Sequence, residues 1–335
     1  MRILNLGAGG FIGCHLTERL LSEGHSVVGV DTHDDKLGSL LSHEELTYVN
    51  QSITDDSCDL DGLVREADLV IDLIAYANPG TYVQRPLDVF HLNFIENLRI
   101  AEACVRRGKR LIQFSSCEVY GKTVASTFPE KLSDPEDPAL ATFSEDRSDF
   151  ILGPVNMHRW IYACAKQLLE RVLHAYGLQG DLNYTIVRPF NFIGPKIDYL
   201  PSKTASRPRV FSYFMEALLD GTEMQLVDGG IHRRCYTYID DAIECINRIV
   251  SNPSAVCDRQ IFNIGSPDNE TSIHGLAALM RDIYHEAFGQ PRSLLPDIVP
   301  VSAEEFYGLG YEDSDRRIPD IGKARRLLDW EPMHG

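Results

Sequence analysis

Two residues four positions apart, Tyr162 and Lys166, have the types and spacing needed to remove a proton from an alcohol. Residues at i and i+4 share one face of a helix. The phenol of tyrosine has an ordinary pKa of about 10, which is too high for a base at neutral pH. A neighbouring ammonium favours the phenolate and lowers this pKa. We therefore expect Tyr162 to act as a general base, with Lys166 supplying the cation.

This spacing is also common between ordinary neighbours on a helix surface, and a second polar segment favours chemistry. Ser116, Cys117 and Glu118 directly follow the apolar run Arg110–Ser115. Ligands of parallel α/β sheets bind at the carboxyl ends of the strands. We expect the Ser116 hydroxyl to donate a hydrogen bond to a developing ketone and Glu118 to serve as a further acid or base. Ser115 is expected to be structural.

A glycine-rich loop near the start of the chain is typical of a dinucleotide site. Gly7 permits a sharp turn, Gly10 lets the main chain approach a pyrophosphate, and Gly13 lets the next helix pack against the sheet. Phe11 and Ile12 begin that helix, and the free N–H groups of a helix N-terminus favour an anion. The loop therefore predicts a bound dinucleotide.

An acid at the end of the next apolar run favours NAD over NADP. Asp31 follows Ser26–Val30, where a carboxylate bonds the ribose hydroxyls of the adenosine and repels a 2′-phosphate. The plain alternative is a tight turn beside a solvated aspartate, but loop, strand, helix and acid occur here together. The predicted cofactor contacts are Gly7, Gly10, Phe11, Ile12, Gly13, Asp31, Tyr162 and Lys166.

Short apolar runs alternate with helical patterns in the first half of the chain, which predicts an α/β fold with a Rossmann-type, doubly wound parallel sheet. The predicted strands are Arg2–Leu6, Ser26–Val30, Leu46–Asn50, Asp68–Leu73, Arg110–Ser115 and Tyr184–Arg188. The predicted helices are Phe11–Ser22, Val89–Cys104 and Trp160–Tyr176. The composition changes after Pro189. We expect an NAD-binding domain in residues 1–190 and a smaller substrate lobe in residues 191–335, with some chain crossing back.

Composition excludes several other classes of protein. The net charge of −17 argues against a nucleic-acid binder, and no apolar run reaches the roughly 18 residues that a membrane span requires. The first residues lack the pattern of a signal peptide. None of the eight cysteines forms a CxxC pair, so we expect reduced thiols. The eleven histidines show no metal-ligand spacing. We expect a cytoplasmic protein with no metal, nucleic-acid partner or membrane partner.

These motifs together resemble the extended short-chain dehydrogenases/reductases, through Gly7–Gly13, the Tyr162/Lys166 pair and Arg188–Asn191. More narrowly, the chain resembles the UDP-glucuronate decarboxylases and the UDP-apiose/UDP-xylose synthases, nearly from end to end. The matching stretches are Ser116–Thr123, Arg159–Lys166, Asp228–Gly230 with Arg234, and Glu305–Gly308 leading to Tyr311 and Asp315–Pro319.

The resemblance implies an internal redox cycle on a UDP-sugar. Tyr162, with Lys166 and Ser116, would oxidise C4 of UDP-glucuronate with bound NAD, and the C4 ketone would act as an electron sink for loss of the C6 carboxylate. The NADH formed would then reduce the product. Glu118 would manage protons at the ring carbon, and Arg317 would hold the carboxylate or the keto sugar.

Further contacts follow from the same resemblance. Ile53 occupies a position that lies against the adenine in many relatives. A homodimer through the helices Val89–Cys104 and Trp160–Tyr176 would fit the family. The implied substrate-binding residues are Tyr82, Arg159, Asn191, Arg234, Tyr311 and Arg317.

Two positions bear on the product. The position of Cys117 is usually serine in the simple decarboxylases and cysteine in the apiose/xylose synthases, where a thiol is thought to help open and contract the ring. Those synthases share a second active-site cysteine at the position where this chain has Ala77, as the decarboxylases do. UDP-xylose, a UDP-4-keto-pentose and UDP-apiose therefore stay open as products.

Two other functions are compatible with the same residues. A sugar-nucleotide 4-epimerase or 4,6-dehydratase shares the tyrosine, the lysine and NAD, although Arg317 in its motif favours a substrate with a carboxylate. A non-catalytic NAD-sensing regulator on the same fold would usually lack Tyr162 or Lys166, and both are present.

Overall fold

The computed structural model describes residues 1–199, 209–252 and 256–335. The strands are β1 (Arg2–Leu6), β2 (Ser26–Asp31), β3 (Leu46–Asn50), β4 (Leu69–Asp72), β5 (Arg110–Phe114), β6 (Thr142–Phe143), β7 (Tyr184–Pro189), β8 (Phe192–Ile193), β9 (Met224–Val227), β10 (Arg233–Cys235), β11 (Thr237–Tyr238), β12 (Gln260–Ile264), β13 (Glu270–Ser272), β14 (Ile298–Val301) and β15 (Arg316–Pro319). The α-helices are α1 (Phe11–Ser22), α2 (Leu60–Glu66), α3 (Pro79–Gln84), α4 (Pro86–Phe90), α5 (Asn97–Arg107), α6 (Val124–Thr127), α7 (Ile161–Gln179), α8 (Val210–Asp220), α9 (Ile239–Ser251), α10 (Ile273–Phe288), α11 (Ala303–Tyr307) and α12 (Gly322–Leu328).

A parallel sheet of seven strands forms the centre of the described fold, in the order β12-β7-β5-β4-β1-β2-β3. The chain winds outward from β1 in both directions, so a crevice opens between the carboxyl ends of β1 and β4. The predicted doubly wound α/β fold is confirmed. The six strands expected in the first half of the chain are all present in this sheet.

Helices cover both faces of the sheet and bury an apolar layer on each side. On one face, α1, α9 and α12 pack against the strands through residues such as Leu16, Leu20 and Ile246. On the other face, α2, α5 and α7 contribute residues such as Ile100 and Leu169. Strands covered on both faces are read as continuous apolar runs, which is why the sequence pattern locates them closely.

A smaller lobe is built around a third apolar cluster that includes Phe214, Met224 and Leu276. It contains the four-stranded sheet β13-β10-β15-β6, the pair β14-β9, and helices α8 and α10. The chain crosses back to the central sheet, because β12 pairs with β7 and α9 packs on α1. The division of the chain into two domains at residue 190 stays a prediction. The structure shows that β12 and α9, which follow this position, pack with the central sheet.

The helix predicted over Val89–Cys104 is interrupted in the structure. It consists of α4, a π-helical stretch at His91–Glu96, and α5. The wider π turn accompanies a side-chain contact: the Asn93 amide accepts from the Tyr76 main-chain N–H (3.0 Å) and donates to the Tyr76 carbonyl (3.1 Å). Such single π turns are frequent at functional sites. The loop after β4 is thereby tied to this helix.

A buried polar network fixes the loop after β5 to the sheet. Arg188 on β7 pairs with Glu170 on α7 (Nη2 to Oε2, 2.5 Å) and donates to the Tyr120 hydroxyl (2.7 Å). That hydroxyl donates in turn to Asn263 Oδ1 on β12 (2.8 Å). Arg188 is only 2% exposed. The pair with Glu170 therefore supports the strand ends where Ser116–Glu118 lie.

Replacing Arg188 by Met should lower the free energy of unfolding by roughly 3–5 kcal/mol, because breaking a buried ion pair leaves Glu170 without its partner. Urea unfolding followed by circular dichroism measures the change. The control is Arg292→Met, which removes an exposed pair with Asp282 and should cost less than about 1 kcal/mol. Equal losses in the two variants would contradict a stabilising role for the network.

Candidate active site

A cavity of about 410 Å³ opens at the carboxyl ends of the central strands, between the glycine-rich loop and the smaller lobe. It brings together most of the residues singled out from the sequence. Those that line it are Gly7, Gly10, Phe11, Ile12, Gly13, Tyr82, Ser116, Cys117, Glu118, Arg159, Tyr162, Lys166, Asn191, Arg234, Tyr311 and Arg317. Two predicted contacts, Asp31 and Ile53, are not part of its lining.

The glycine-rich loop has the shape of a phosphate cradle. Gly7 has a φ of +90°, and a Cβ on Gly13 would lie 2.0 Å from the Gly7 carbonyl oxygen. A Cβ on Gly9 would lie 1.7 Å from the His33 carbonyl oxygen, so Gly9 is a required glycine that sequence reasoning missed. At Gly10 a Cβ would meet only the Gly7 oxygen, at 3.2 Å, which leaves its outer side open. The loop fits the pyrophosphate of a dinucleotide at the start of α1.

Asp31 and Ile53 have different surroundings. Asp31, at the end of β2, accepts hydrogen bonds from the main-chain N–H groups of Gly9 (3.0 Å) and Thr32 (2.7 Å). Its carboxylate therefore lies beside the loop, where an adenosine ribose would reach it. Ile53 is 2% exposed and packs in the hydrophobic core with Val30. The contact of Ile53 with an adenine stays a prediction.

Tyr162 and Lys166 both point into the cavity from α7. The Tyr162 ring stacks on that of Tyr82, with 4.4 Å between centroids and 7° between planes. Lys166 Nζ donates to Asn97 Oδ1 (3.0 Å) and to the Phe114 carbonyl (2.9 Å). Both side chains are almost completely buried, so their orientations are fixed by packing and hydrogen bonds.

The expected lowering of the Tyr162 pKa is wrong for the protein without ligands. Burial raises the pKa of Tyr162 above its ordinary value, and the hydrogen bond with Ser116 offsets this only in part. Burial lowers the pKa of Lys166 to about 8, against the opposing charges of Asp72 and Glu170. The spacing correctly indicated that Tyr162 and Lys166 share a helix face. It could not show that Lys166 donates its hydrogen bonds to Asn97 and to the Phe114 carbonyl.

Ser116 and Glu118 lie directly after β5, as predicted. The Ser116 hydroxyl caps the short 3₁₀ turn Cys117–Tyr120 by accepting from the Glu118 main-chain N–H (3.1 Å). The Glu118 carboxylate pairs with Arg159 and with Arg317 Nη2 (3.1 Å). Burial opposes its ionisation, but the two guanidinium groups hold the pKa of Glu118 below its ordinary value. Glu118 is therefore a carboxylate at neutral pH.

Asp313 is a second buried carboxylate that sequence reasoning missed. It accepts from Arg234 Nη2 (2.8 Å), Arg159 Nη2 (3.2 Å) and the Tyr311 hydroxyl (3.1 Å). Although burial raises its pKa, the surrounding guanidinium groups hold the pKa of Asp313 well below the ordinary range. The one sequence signal for Asp313 was its position between Tyr311 and Arg317, both of which were predicted to bind the substrate.

Three guanidinium groups thus meet two carboxylates in one wall of the cavity. We call this the arginine–carboxylate cluster; its members are Glu118, Arg159, Arg234, Asp313 and Arg317. With both carboxylates ionised, the cluster carries one net positive charge. An uncompensated buried charge is costly unless it is paired, so this wall is suited to an anionic ligand.

Among the described residues, the unpaired donors of the cluster are the Nε and Nη1 groups of Arg317 and the Nε of Arg159, whereas Arg234 has none. Arg317 is 1% exposed, and among the described residues its Nε and Nη1 have no hydrogen-bond partner. Arg234 instead donates to the main-chain carbonyls of Arg233 (2.7 Å) and Ser314 (2.8 Å) as well as to Asp313. Buried donors without partners are rare in folded proteins. Arg317 therefore has two N–H donors available for a ligand.

Asn191 and Cys117 complete the wall near the strand ends. Asn191 has a φ of +42° and donates from Nδ2 to the Cys235 carbonyl (3.0 Å). Cys117 is 4% exposed, and burial raises the pKa of its thiol while Arg317 acts in the opposite direction. Cys117 therefore faces the cavity as a neutral thiol. Ala77 also lines the cavity, on the opposite side of the crevice after β4.

No group of three or more His, Cys, Asp or Glu side chains in residues 1–199, 209–252 and 256–335 is arranged to hold a metal ion. Within the same ranges, none of the helices combines the length and apolar character that a bilayer span needs.

Proteins of known identity share both the sequence and the fold. Residues 3–265 match the model of the NAD dependent epimerase/dehydratase family. The UDP-D-apiose/UDP-D-xylose synthase of Oryza sativa subsp. japonica is 42% identical over 99% of this chain and 85% of that protein. UDP-D-apiose/UDP-D-xylose synthase 1 of Arabidopsis thaliana is 43% identical over 99% of this chain and 87% of that protein. The resemblance read from the motifs is thereby confirmed.

Solved structures agree on the fold. The PbgP3 protein from Burkholderia pseudomallei is 35% identical, with a TM-score of 0.83 over 99% of this chain and 92% of that chain. A UDP-glucuronic acid 4-epimerase from Bacillus cereus, solved with UDP-glucuronic acid and NAD, is 22% identical, with a TM-score of 0.78 over 100% and 95% of the two chains. At that identity the likeness shows the fold alone. The family match confirms the prediction of an NAD-dependent enzyme, and this chain belongs to the NAD dependent epimerase/dehydratase family.

Proposed function

We propose that the protein decarboxylates UDP-glucuronate to a UDP-pentose, using a bound NAD that is restored at the end of the cycle. The observation that carries the proposal is Arg317, a buried guanidinium in the cavity wall with two N–H groups that lack protein partners. A guanidinium recognises a carboxylate with two parallel hydrogen bonds. The curated relatives, UDP-apiose/UDP-xylose synthases at 42–43% identity, support the same chemistry.

The cofactor would be held by the glycine-rich loop, by Asp31 and by Lys166. Bound NAD supplies a hydride acceptor for C4 of the sugar and later returns that hydride. The protein contributes the cradle of main-chain N–H groups, the acid that excludes a 2′-phosphate, and an ammonium at the inner end of the cavity.

Tyr162 would hold and move the proton of the sugar hydroxyl. In the protein without ligands, burial keeps its phenol protonated. Turnover therefore needs additional positive charge near the phenol, and the charged Lys166 supplies part of it. Ser116, which hydrogen-bonds Tyr162, can donate to the oxygen that becomes the ketone. The two hydroxyls together fix the orientation of the reacting carbon.

The arginine–carboxylate cluster would act on the other side of the sugar. A C4 ketone stands β to the C6 carboxylate, so loss of carbon dioxide sends its electron pair toward the ketone oxygen, where Tyr162 and Ser116 can stabilise the enolate. Arg317 orients the departing carboxylate. Glu118 is ionised, and it can take a proton from water or a hydroxyl and return it to the ring carbon.

Which pentose is released depends on the surroundings of Cys117. A neutral thiol lies in the wall, and the position of the second cysteine in the synthase pattern is occupied by Ala77. Three products stay open: UDP-xylose, a UDP-4-keto-pentose and UDP-apiose. NMR of the sugars formed from UDP-glucuronate distinguishes them, and a 4-epimerase would instead form UDP-galacturonate with no loss of carbon.

We also propose a homodimer through α4, α5 and α7. Exposed apolar side chains lie on two of these helices, with Leu168 45% exposed and Leu178 71% exposed on α7, and Leu87 75% exposed on α4. An apolar face of this kind is typical of a protein interface.

The cytoplasm is the proposed compartment. All eight cysteines lie in the described ranges and carry free thiols, which is the usual state in a reducing compartment. The exposed thiol of Cys164 would be vulnerable to oxidation elsewhere.

Incubation with UDP-glucuronate and NAD should release carbon dioxide, and Tyr162→Phe should reduce the rate by about 10²–10⁴-fold, the usual contribution of a general acid–base. Trapping of labelled carbon dioxide measures the rate. Binding of NAD, followed by calorimetry, should persist in the variant. Undiminished release from Tyr162→Phe would refute the catalytic assignment, and binding of NAD without any turnover by the native protein would favour the regulator.

Replacing Arg317 by Met should abolish the preference of the site for UDP-glucuronate over UDP-glucose, because the two sugars differ at the carboxylate that Arg317 is proposed to hold. We expect the ratio of the two dissociation constants to fall by tenfold or more, since one charge-assisted bidentate contact is worth about 1.5–3 kcal/mol. Arg317→Lys keeps the charge and should recover part of the preference. Arg233→Met, a change at an exposed arginine, is the control. An unchanged ratio in Arg317→Met would disprove the assignment.

Replacing Leu168 by Glu should convert the dimer to monomer, because the charge would have to be buried in the contact. Light scattering coupled to size-exclusion chromatography measures the molecular mass. Leu279→Glu places the same change at a similarly exposed site on α10 and should leave the dimer intact. A native protein that elutes as a monomer at micromolar concentration would rule out the proposed dimer.

A further inference from the structure

Asp72 is a buried carboxylate that the proposed reaction does not use. It is the last residue of β4, next to the crevice, and is fully buried. Its Oδ2 accepts from Gln113 Nε2 (2.8 Å), and its Oδ1 accepts from the main-chain N–H of Ile74 (3.0 Å). Both donors are neutral. A buried carboxylate is normally paired with a cation, and no arginine or lysine lies within ion-pair distance of Asp72 among the described residues.

The cation that acts on Asp72 is Lys166, through a short chain of hydrogen bonds. Asp72 binds the Ile74 N–H, and the Ile74 carbonyl accepts from Asn97 Nδ2 (3.1 Å). Asn97 Oδ1 then accepts from Lys166 Nζ (3.0 Å), which also donates to the Phe114 carbonyl (2.9 Å). Lys166 is 1% exposed. The opposite charges of Asp72 and Lys166 thus lie at the base of the cavity and are separated by neutral groups of Ile74 and Asn97.

We infer that Asp72 is a positioning residue for Lys166: its carboxylate keeps the Lys166 ammonium charged and directed toward the Tyr162 end of the cavity. The inference deepens the proposed function and rests on the role given there to Lys166. No residue of the catalytic set could do this in its place, because Glu118 and Asp313 are occupied by the arginines of the cluster.

The electrostatics of the surrounding groups agree with this arrangement. Burial raises the pKa of Asp72 to about 6, and the attraction of Lys166 limits the rise. Burial lowers the pKa of Lys166 to about 8, and Asp72 is the first of the charges that oppose the fall. Between these two values both groups are charged. Removal of the Asp72 charge should therefore lower the pKa of Lys166, so that the ammonium loses its proton at a lower pH.

Other titratable groups face the pair from two helices, α5 and α7. Glu170, one turn further along α7, also attracts Lys166, but it is bound by Arg188. Cys104 on α5 feels the Asp72 charge, and burial raises the pKa of its thiol, so it stays neutral. Tyr162 shares α7 with Lys166 and stays protonated without ligand. Asp72 is accordingly the charge whose removal is expected to change Lys166 most.

The substitution Asp72→Asn removes the charge and preserves the shape. Gln113 Oε1 is buried without a hydrogen-bond partner, so rotation of the Gln113 amide would present this oxygen to the new Asn amide. The hydrogen bond between the two side chains can therefore be kept. A matched control is Asp241→Asn, which neutralises another buried aspartate, one that binds the main chain of Met333 and His334 far from the cavity.

The direct test is a titration of Lys166 by ¹³C NMR in the full chain with lysine ε-carbons labelled. The chain has eight lysines, and comparison with Lys166→Met assigns the signal. We expect the pKa of Lys166 to fall by about one unit or more in Asp72→Asn and to stay unchanged in Asp241→Asn. An unaltered Lys166 titration in Asp72→Asn would overturn the inference.

Turnover provides the second readout. The alkaline limb of the pH–rate profile should move to lower pH in Asp72→Asn by the same amount as the NMR titration, with a loss of roughly tenfold near pH 8 and little loss near pH 6.5. A uniform loss at every pH would indicate a merely structural role and would also overturn the inference. If the native protein shows no turnover, the proposed function fails while the NMR result still decides the role of Asp72. Should Asp72→Asn not fold, Asp72→Ser, which leaves room for a water, carries both measurements.

Discussion

The arginine–carboxylate cluster is the interaction on which the site depends, because it joins the two lobes through buried charges. Glu118 comes from the end of β5 and Arg159 from the approach to α7, whereas Arg234, Asp313 and Arg317 come from the smaller lobe. Ion pairs with this little exposure tolerate no loss of a partner. The cluster therefore connects the two walls of the cavity, and its one excess positive charge favours an anionic ligand.

A second constraint is the dryness of the cavity floor. Tyr162, Lys166 and Asp72 are each removed from water, which disfavours the charged form of each. The Tyr162 phenol therefore stays protonated, whereas Asp72, with a pKa of about 6, and Lys166, with a pKa of about 8, are charged together between these values. In this respect the buried phenol of Tyr162 differs from a base on the surface, which is ionised at all times. The protein supplies the geometry in advance, and the ligands supply the charge that completes it.

The parts of the structure that the sequence predicted are those with a local signature. Gly7 is required by the turn and Gly13 by the close approach of α1, and a strand buried on both faces is a continuous apolar run, so β1 was located to the residue. Asp313 was missed because two of its arginine partners, Arg159 and Arg234, come from distant segments. The raised pKa of Tyr162 was missed because burial cannot be read from spacing.

The chain passes between the lobes before and after β6, after β7, before α9, after β12 and before α12. The two passages after β7 and after β12 leave from the same end of the central sheet, where these strands lie side by side. A lobe joined to the central sheet by several chain segments is less free to move as a rigid body than a lobe joined by a single hinge. We therefore expect ligand access to depend on the side chains and loops at the mouth of the cavity.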